Sequence, residues 1–256
     1  MLKRQQPAAF IALAAIAAMT GAGCGSSSNT DTAHIRAVNV APNAGSAAVT
    51  VNGGAVDGTL NFAQISTYNY IGQGDSIFSF TTTTTLPTNI TIPPSPHLTL
   101  STGSYYTSYL IGRTDVQGEA DPRFLQTVVT GDRGASANYA SPALYTNPPT
   151  GEANIRILNA APDARSVDVL INGAVTYAAA AYPKFPVVEA VNPVTAYLPL
   201  PISGIKVQVN VAGTATVLVP ATSVSVSSGN AYTIVVTEPT VTPTPTYGLL
   251  TVGDQP

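Results

Sequence analysis

At 256 residues the chain has room for two domains, and its 45% hydrophobic content is too high for a wholly disordered polypeptide. A formal charge of −3 with scattered cations gives no electrostatic footprint for nucleic acid and no polybasic patch for anionic lipid. Charged residues make up only 9%, so short β-branched strands and turns are expected rather than amphipathic helices, which need Glu, Lys and Arg on the wet face.

In chain order, the first feature is an address. Lys3 and Arg4 precede an apolar run, Ala8 to Met19, too short to cross a bilayer ~30 Å thick as a helix. Small residues and Cys24, the single cysteine of the chain, follow. This is the three-part form of a secretory signal over residues 1–23. Ala22-Gly23-Cys24 resembles the bacterial lipoprotein signal, although Gly21 departs from its usual aliphatic position. That resemblance implies lipidation of Cys24, a lipidated N-terminus and tether over residues 24–32, and attachment of an exported protein to the cell envelope through lipid. Gly25 stands where some bacteria place the Asp that retains lipoproteins at the inner membrane, which favours the outer membrane.

Two copies of one module come next. His34–Gly53 and Asn154–Gly173, at a constant offset of 120, share ten of twenty residues, including Arg36/Arg156, Asn39/Asn159, Pro42/Pro162, Asn52/Asn172 and Gly53/Gly173. A period this long means tandem domains, placed at residues 33–132 and 153–256 with a linker at 133–152. Strands are predicted in the first copy at His34–Val40, Ala47–Val51, Ile65–Ile71, Ser76–Thr82, His97–Ser101, Tyr105–Ile111 and Phe124–Thr130. In the second copy they are predicted at Asn154–Ala160, Val167–Ile171, Val194–Leu198, Ile205–Val211, Thr222–Val226, Tyr232–Thr237 and Gly248–Val252. The first two of these are expected to pair through the turn Pro162-Asp-Ala-Arg165. Asn52-Gly53 and Asn172-Gly173 carry a hairpin signal, because a type I′ turn needs φ > 0 at both central residues.

The copies differ at Thr81–Pro96, a Thr/Pro stretch, and at Ala174–Pro193, whose prolines argue against a long helix. Their ends agree again: Gly103-Ser-Tyr-Tyr-Thr107 echoes Gly229-Asn-Ala-Tyr-Thr233, and Thr130-Gly-Asp132 echoes Val252-Gly-Asp254. The predicted fold is all-β: two tandem antiparallel β-sandwiches of immunoglobulin-like form.

Arg-x-x-Asn-x-x-Pro-Asp/Asn-Ala, alternating residues ending in Asn-Gly, and a later Gly-x-x-Tyr-Thr resemble the bacterial domain of unknown function numbered 4397. Asp163 and Asp168 stand where that family favours Asp; the first copy has Asn43 and Ala48 there. The resemblance implies secreted or surface-anchored β-sandwich modules, often in tandem, with no established activity, and says nothing of chemistry.

Chemistry is sparse. His34 and His97 are the only histidines, too few for a His/Cys metal site, and Asp57, Asp75, Asp115, Glu119 and Asp121 lack the spacing of a Ca²⁺ loop. No metal and no cofactor is expected. No Gly-x-Ser-x-Gly elbow occurs, and the second copy lacks a histidine base, so no enzyme and no catalytic residue is expected; an envelope hydrolase is a subordinate alternative. Arg36 and Arg156 are read as structural arginines along a sheet edge, bonded to a carbonyl or an Asp, with Arg156 on the face of Leu158 and opposite Ile155 and Ile157. Asn39 and Asn159 are expected to bond backbone at the Pro turn. The chain has twelve Tyr and no Trp, and Tyr68 and Tyr70, two apart on one strand, are the candidate ligand platform. The leading functional expectation is a non-catalytic structural or protein-interaction module on the envelope surface, with a polysaccharide-binding module as the alternative.

Overall fold

The computed structural model describes residues 32–84, 92–116, 121–132, 146–183, 194–240 and 245–254. Residues 24–31 of the lipidated N-terminus and tether lie outside the described residues, as do parts of the Thr/Pro stretch, the linker and the Ala174–Pro193 segment, whereas Thr32, placed at the end of the tether, is the first residue of β1.

Every regular element among the described residues is a strand. The first repeat contains β1 (Thr32–Asn39), β2 (Ala47–Val51), β3 (Gly54–Ala55), β4 (Asn69–Gly72), β5 (Gly74–Ser76), β6 (Phe78–Thr82), β7 (Leu98–Leu100), β8 (Tyr105–Ile111) and β9 (Gln126–Gly131). The second contains β10 (Glu152–Asn159), β11 (Ser166–Ile171), β12 (Ala174–Ala181), β13 (Leu198–Pro201), β14 (Lys206–Val211), β15 (Val217–Ser223), β16 (Ala231–Thr240) and β17 (Thr246–Gly253).

Each repeat divides into an inner and an outer sheet. The inner sheets run β4-β1-β8-β9 and β13-β10-β16-β17; the outer strands form β3-β2-β6 with β5-β7 in the first repeat and β12-β11-β14-β15 in the second. Two expectations are corrected here. The Pro turn does not close a hairpin: β10 and β11 belong to different sheets, and the turn carries the chain from the inner sheet to the outer one. Nor is the pairing antiparallel throughout, because β1 lies parallel to β8 and β10 parallel to β16. The turn diverts the chain across the core, leaving the flank of β1 free for a strand that arrives much later in the sequence.

The Asn-Gly hairpins form as expected. Asn52 and Gly53 take φ of 50° and 79°, Asn172 and Gly173 take 51° and 86°, and β2–β3 and β11–β12 pair across them. β12 occupies the first part of Ala174–Pro193, where the copies differ and the sequence predicts no strand. Its alternation is hidden by a run of alanines and broken by a bulge at Ala179, φ 50°.

The packing has four layers. Ile155, Ile157, Ile234 and Val236 of the second inner sheet meet Val167, Val169, Val207 and Val209 of the outer one. Ala37, Leu110, Val49 and Phe80 do the same in the first repeat. Between the repeats, Val38, Tyr109 and Val128 pack against Leu158, Val235 and Val252. Both inner sheets are thus covered on both faces, which suits their parallel pairs. It also explains why β1 and β10 read as nearly continuous buried runs instead of alternating ones.

Candidate functional site

Two places hold the residues that the sequence singles out: a buried ion cluster between the repeats, and an exposed aromatic patch on the first.

Alternation along β10 puts Ile155 and Ile157 into the core of their own repeat and turns Arg156, with Leu158, toward the other repeat. Arg156 is fully buried. Its Nε donates to Thr233 Oγ1 at 2.7 Å, its Nη1 to the Gly131 carbonyl at 2.8 Å, and its Nη2 to Asp132 Oδ1 at 2.6 Å. Arg36 repeats the scheme in the opposite direction. Its Nε donates to Thr107 Oγ1 at 2.8 Å, its Nη1 to the Gly253 carbonyl, and its Nη2 to Asp254 Oδ1 at 3.1 Å. Each arginine therefore bonds a threonine of its own repeat and the Gly-Asp tail of the other.

The carboxylates are closed off by hydroxyls of their own repeat. Asp132 Oδ2 accepts from Thr107 and Tyr68, and Asp254 Oδ2 from Thr233 and Tyr197. The Arg36 guanidinium lies 4.6 Å from the Tyr68 ring centroid, and that of Arg156 lies 4.5 Å from the Tyr197 ring. Two cations and two anions balance, and their polar atoms find partners; a buried charge is tolerated only under those conditions. Burial and the Asp254 carboxylate push the Asp132 carboxyl up, against the pull of both arginines. Burial also raises the Tyr68 and Tyr197 phenols, so both remain protonated donors.

Neither arginine lies on a sheet edge, as the sequence reading had it. β1 runs between β4 and β8, and β10 between β13 and β16. The residues that complete the cluster, Thr107, Asp132, Tyr197, Thr233 and Asp254, were not singled out from the sequence. For all but Tyr197 the signal was present in the matching Tyr-Thr and Gly-Asp ends of the two copies.

Asn39, Pro42, Asn159 and Pro162 hold the Pro turns. Asn39 Nδ2 donates to the carbonyls of Gly45 and Leu60 while its Oδ1 accepts from Ala41 N–H. Asn159 does the same with Ala164, Ala180 and Ala161. Pro42 and Pro162 occupy the turns, where a fixed φ costs no strand hydrogen bond. Asp163 crosses the interface: its carboxylate pairs with Arg113 at 2.5 Å and Arg123 at 2.9 Å. Its own N–H donates to Glu238, which is buried; that burial, foremost, and the Asp163 charge push the Glu238 carboxyl up to about 7. Asn43, its counterpart, bonds within its own repeat to Thr114 and Asp115.

The structure divides the candidate tyrosine platform. Tyr68 is half-buried and committed to Asp132 and Arg36, whereas Tyr70 is 69% exposed. Tyr70 belongs instead to a patch with His34, 4.8 Å away between ring centroids, and His34 stacks on Tyr105 at 4.1 Å. At the equivalent register positions the second repeat has Pro199, Asn154 and Ala231. A groove of about 220 Å³ adjoins Tyr70, lined by Val51, Gly54, Ala55, Val56, Asn69 and Ile71. Among the described residues no group of three or more His, Cys, Asp and Glu side chains is placed to hold a metal ion.

Fold and cluster together define an all-β protein of two similar halves, joined face to face by ion pairs exchanged between them. The chain belongs to the family described as Domain of unknown function (DUF4397), which it matches over residues 33–138 and 153–255, consistent with tandem copies. Comparison with curated proteins finds no match.

Proposed function

We propose that the protein is a non-catalytic lipoprotein of the cell envelope, anchored through Cys24, that displays its two repeats as one structural or protein-interaction body. We read each repeat as an immunoglobulin-like sandwich, a form supported by the core that its two sheets share. The observation that carries the functional reading is the use made of the recurrent polar residues: Arg36, Arg156, Asp132 and Asp254 satisfy one another inside the molecule. A body stiffened in this way suits a display role, with its exposed apolar side chains, Tyr70, Val175 and Val217, on the outside. The outer membrane is the proposed location.

The test is direct. In cells producing the full chain, labelled fatty acid is expected to enter the protein and the protein to sediment with membranes; Cys24→Ser should abolish both. A soluble, unlabelled wild-type protein would sink the anchoring. Cross-linking in intact cells, expected to yield defined protein adducts, tests the interaction role.

A second reading rests on the exposure of Tyr70 beside His34 and Tyr105: an envelope polysaccharide stacked on that ring. Calorimetric titration with envelope polysaccharides, repeated on Tyr70→Ala, separates it from the first.

A further inference from the structure

The two inner sheets end differently at equivalent edges. Among the described residues β4 and β13 are each paired on one side only, to β1 and β10. Backbone direction along β1 is fixed by neighbouring bonds. His34 N–H donates to the Ser104 carbonyl on the β8 side, while Ala37 exchanges bonds with Ser66 on the other side. Residues alternate in direction along a strand, so Ala33 and Ile35 face β4 and bond their register partners Ile71 and Asn69. Tyr70 and Gly72, the alternate residues of β4, therefore turn their N–H and C=O groups outward. Both residues are exposed.

In the second repeat the register pairs Asn154 with Pro199 and Glu152 with Pro201. These are the two outward positions, and proline has no N–H to offer. Proline at outward positions is a common way to blunt an edge against pairing with another chain. The second repeat blocks this edge and the first leaves it open.

The flanking outer strand differs as well. β12 runs for eight residues, held by Asp168, whose carboxylate accepts from Ala179 N–H at 2.8 Å and from Gly213 N–H at 2.8 Å. In the first repeat the equivalent residue is Ala48, and β3 is only two residues long. Beyond β3 the chain still bonds β2, from Val56 N–H to the Val49 carbonyl and reciprocally between Ala47 and Leu60, and the groove is lined by Val51 and residues 54–56 together with residues 69–71.

We propose that β4 is a strand-acceptor edge, adding an extended segment of a partner polypeptide through the backbone groups of Tyr70 and Gly72, with small apolar side chains of that segment seated in the adjoining groove. This rests on the protein-interaction reading and names its mode. Outward N–H and C=O groups at strand spacing are matched by an extended chain, which supplies the same groups at the same spacing. A second copy of this protein fits less well, since pairing β4 with its own copy brings two identical grooves together and fills neither.

The experiment selects capped eight-residue peptides from a random library on the immobilised full chain, then measures the selected peptides against wild type and against the Tyr70→Pro, Gly72→Pro double variant. Selected peptides should bind the variant at least tenfold more weakly, and the amide protons of Tyr70 and Gly72 should become protected from exchange on binding. Equal affinity for the variant, or no peptide enriched at all, overturns the proposal. Should the prolines unfold the protein, wild type still decides: N-methylation at alternate peptide positions must abolish binding, and indifference to it overturns strand addition. Binding lost in Tyr70→Ala, kept in the proline variant and displaced by envelope polysaccharide would favour the saccharide reading instead. A photo-cross-linker at Tyr70 should capture a protein in intact cells. Capture at Val175 or Val217 without capture at Tyr70 would leave an interaction module but remove this edge; capture nowhere would remove both.

Discussion

Arg36 bonds Asp254 across 218 positions of sequence, and Arg156 returns the contact to Asp132. The exchange relates the repeats by an approximate two-fold axis, as in a dimer whose two interfaces use the same residues. A linker has made that association intramolecular, so the effective concentration of each half for the other is high.

Removing one member of this cluster leaves its partner charged and dry. Asp132→Ala is expected to destabilise the protein by about 3–5 kcal/mol, because two buried arginines, Arg36 and Arg156, then share the single carboxylate of Asp254. Urea unfolding measures it. The pair Asp132→Leu with Arg156→Leu should lose less than the two single changes summed, since no lone charge remains.

The apolar layer between the repeats, with Leu158, Val235 and Val252 against Val38, Tyr109 and Val128, couples their unfolding. The full chain is expected to melt in one transition, with calorimetric and van't Hoff enthalpies in agreement. Two resolved transitions would show that the repeats are energetically separate.

Glu238 gives the protein a pH dependence in the neutral range. Its carboxyl is pushed up to about 7, chiefly by burial, so the folded state holds a proton that the unfolded chain releases near pH ~4.3. Stabilisation from that group is complete below the unfolded pKa and is lost as pH rises through about 7. Between pH 5 and 8 the wild type should lose on the order of 2 kcal/mol that Glu238→Gln does not lose, read as a flatter curve of Tm against pH.

Gly112 links β8 to Arg113, one of the two arginines on Asp163. It sits at φ 98°, and a Cβ there would fall 2.1 Å from the Phe124 carbonyl oxygen. Gly112→Ala is therefore expected to cost about 3 kcal/mol or more by chemical denaturation, through backbone strain and the displaced strand together.

Tyr197 and Tyr70 should part company. Tyr197→Phe deletes the hydroxyl that caps Asp254 at 2.7 Å and should cost about 1–3 kcal/mol of stability. Tyr70→Phe removes nothing that the fold uses and should leave the melting temperature within about 1 °C.

Much of the architecture was legible because it is local. Asn-Gly requires φ > 0 and marks its hairpins, Pro with Asn or Asp marks the turns, and β-branched runs mark strands. Identity at ten of twenty positions at a fixed offset reveals the duplication without any structure. The misreadings of sheet order and strand direction share one cause: pairing partners distant in sequence. The parallel partner of β1 lies some seventy residues on, at Arg36 and Thr107, and no turn signal announces it. β12 was missed because its alanines carry no alternation, and Tyr68 was grouped with Tyr70 because spacing of two gives a shared face but not what covers it.

The sequence by itself determined the two copies, their turns, their strand-rich composition and the recurrence of Arg36 and Arg156, since these depend on backbone preferences and on residue identity at short range. The tertiary structure alone decided that the arginines face each other's repeats, that Tyr68 is spent on Asp132 while Tyr70 is exposed, and that β4 is left with an open edge. Those outcomes depend on which face of one sheet is covered by another. That is set by long-range packing of whole sheets, and no local pattern of residues encodes it.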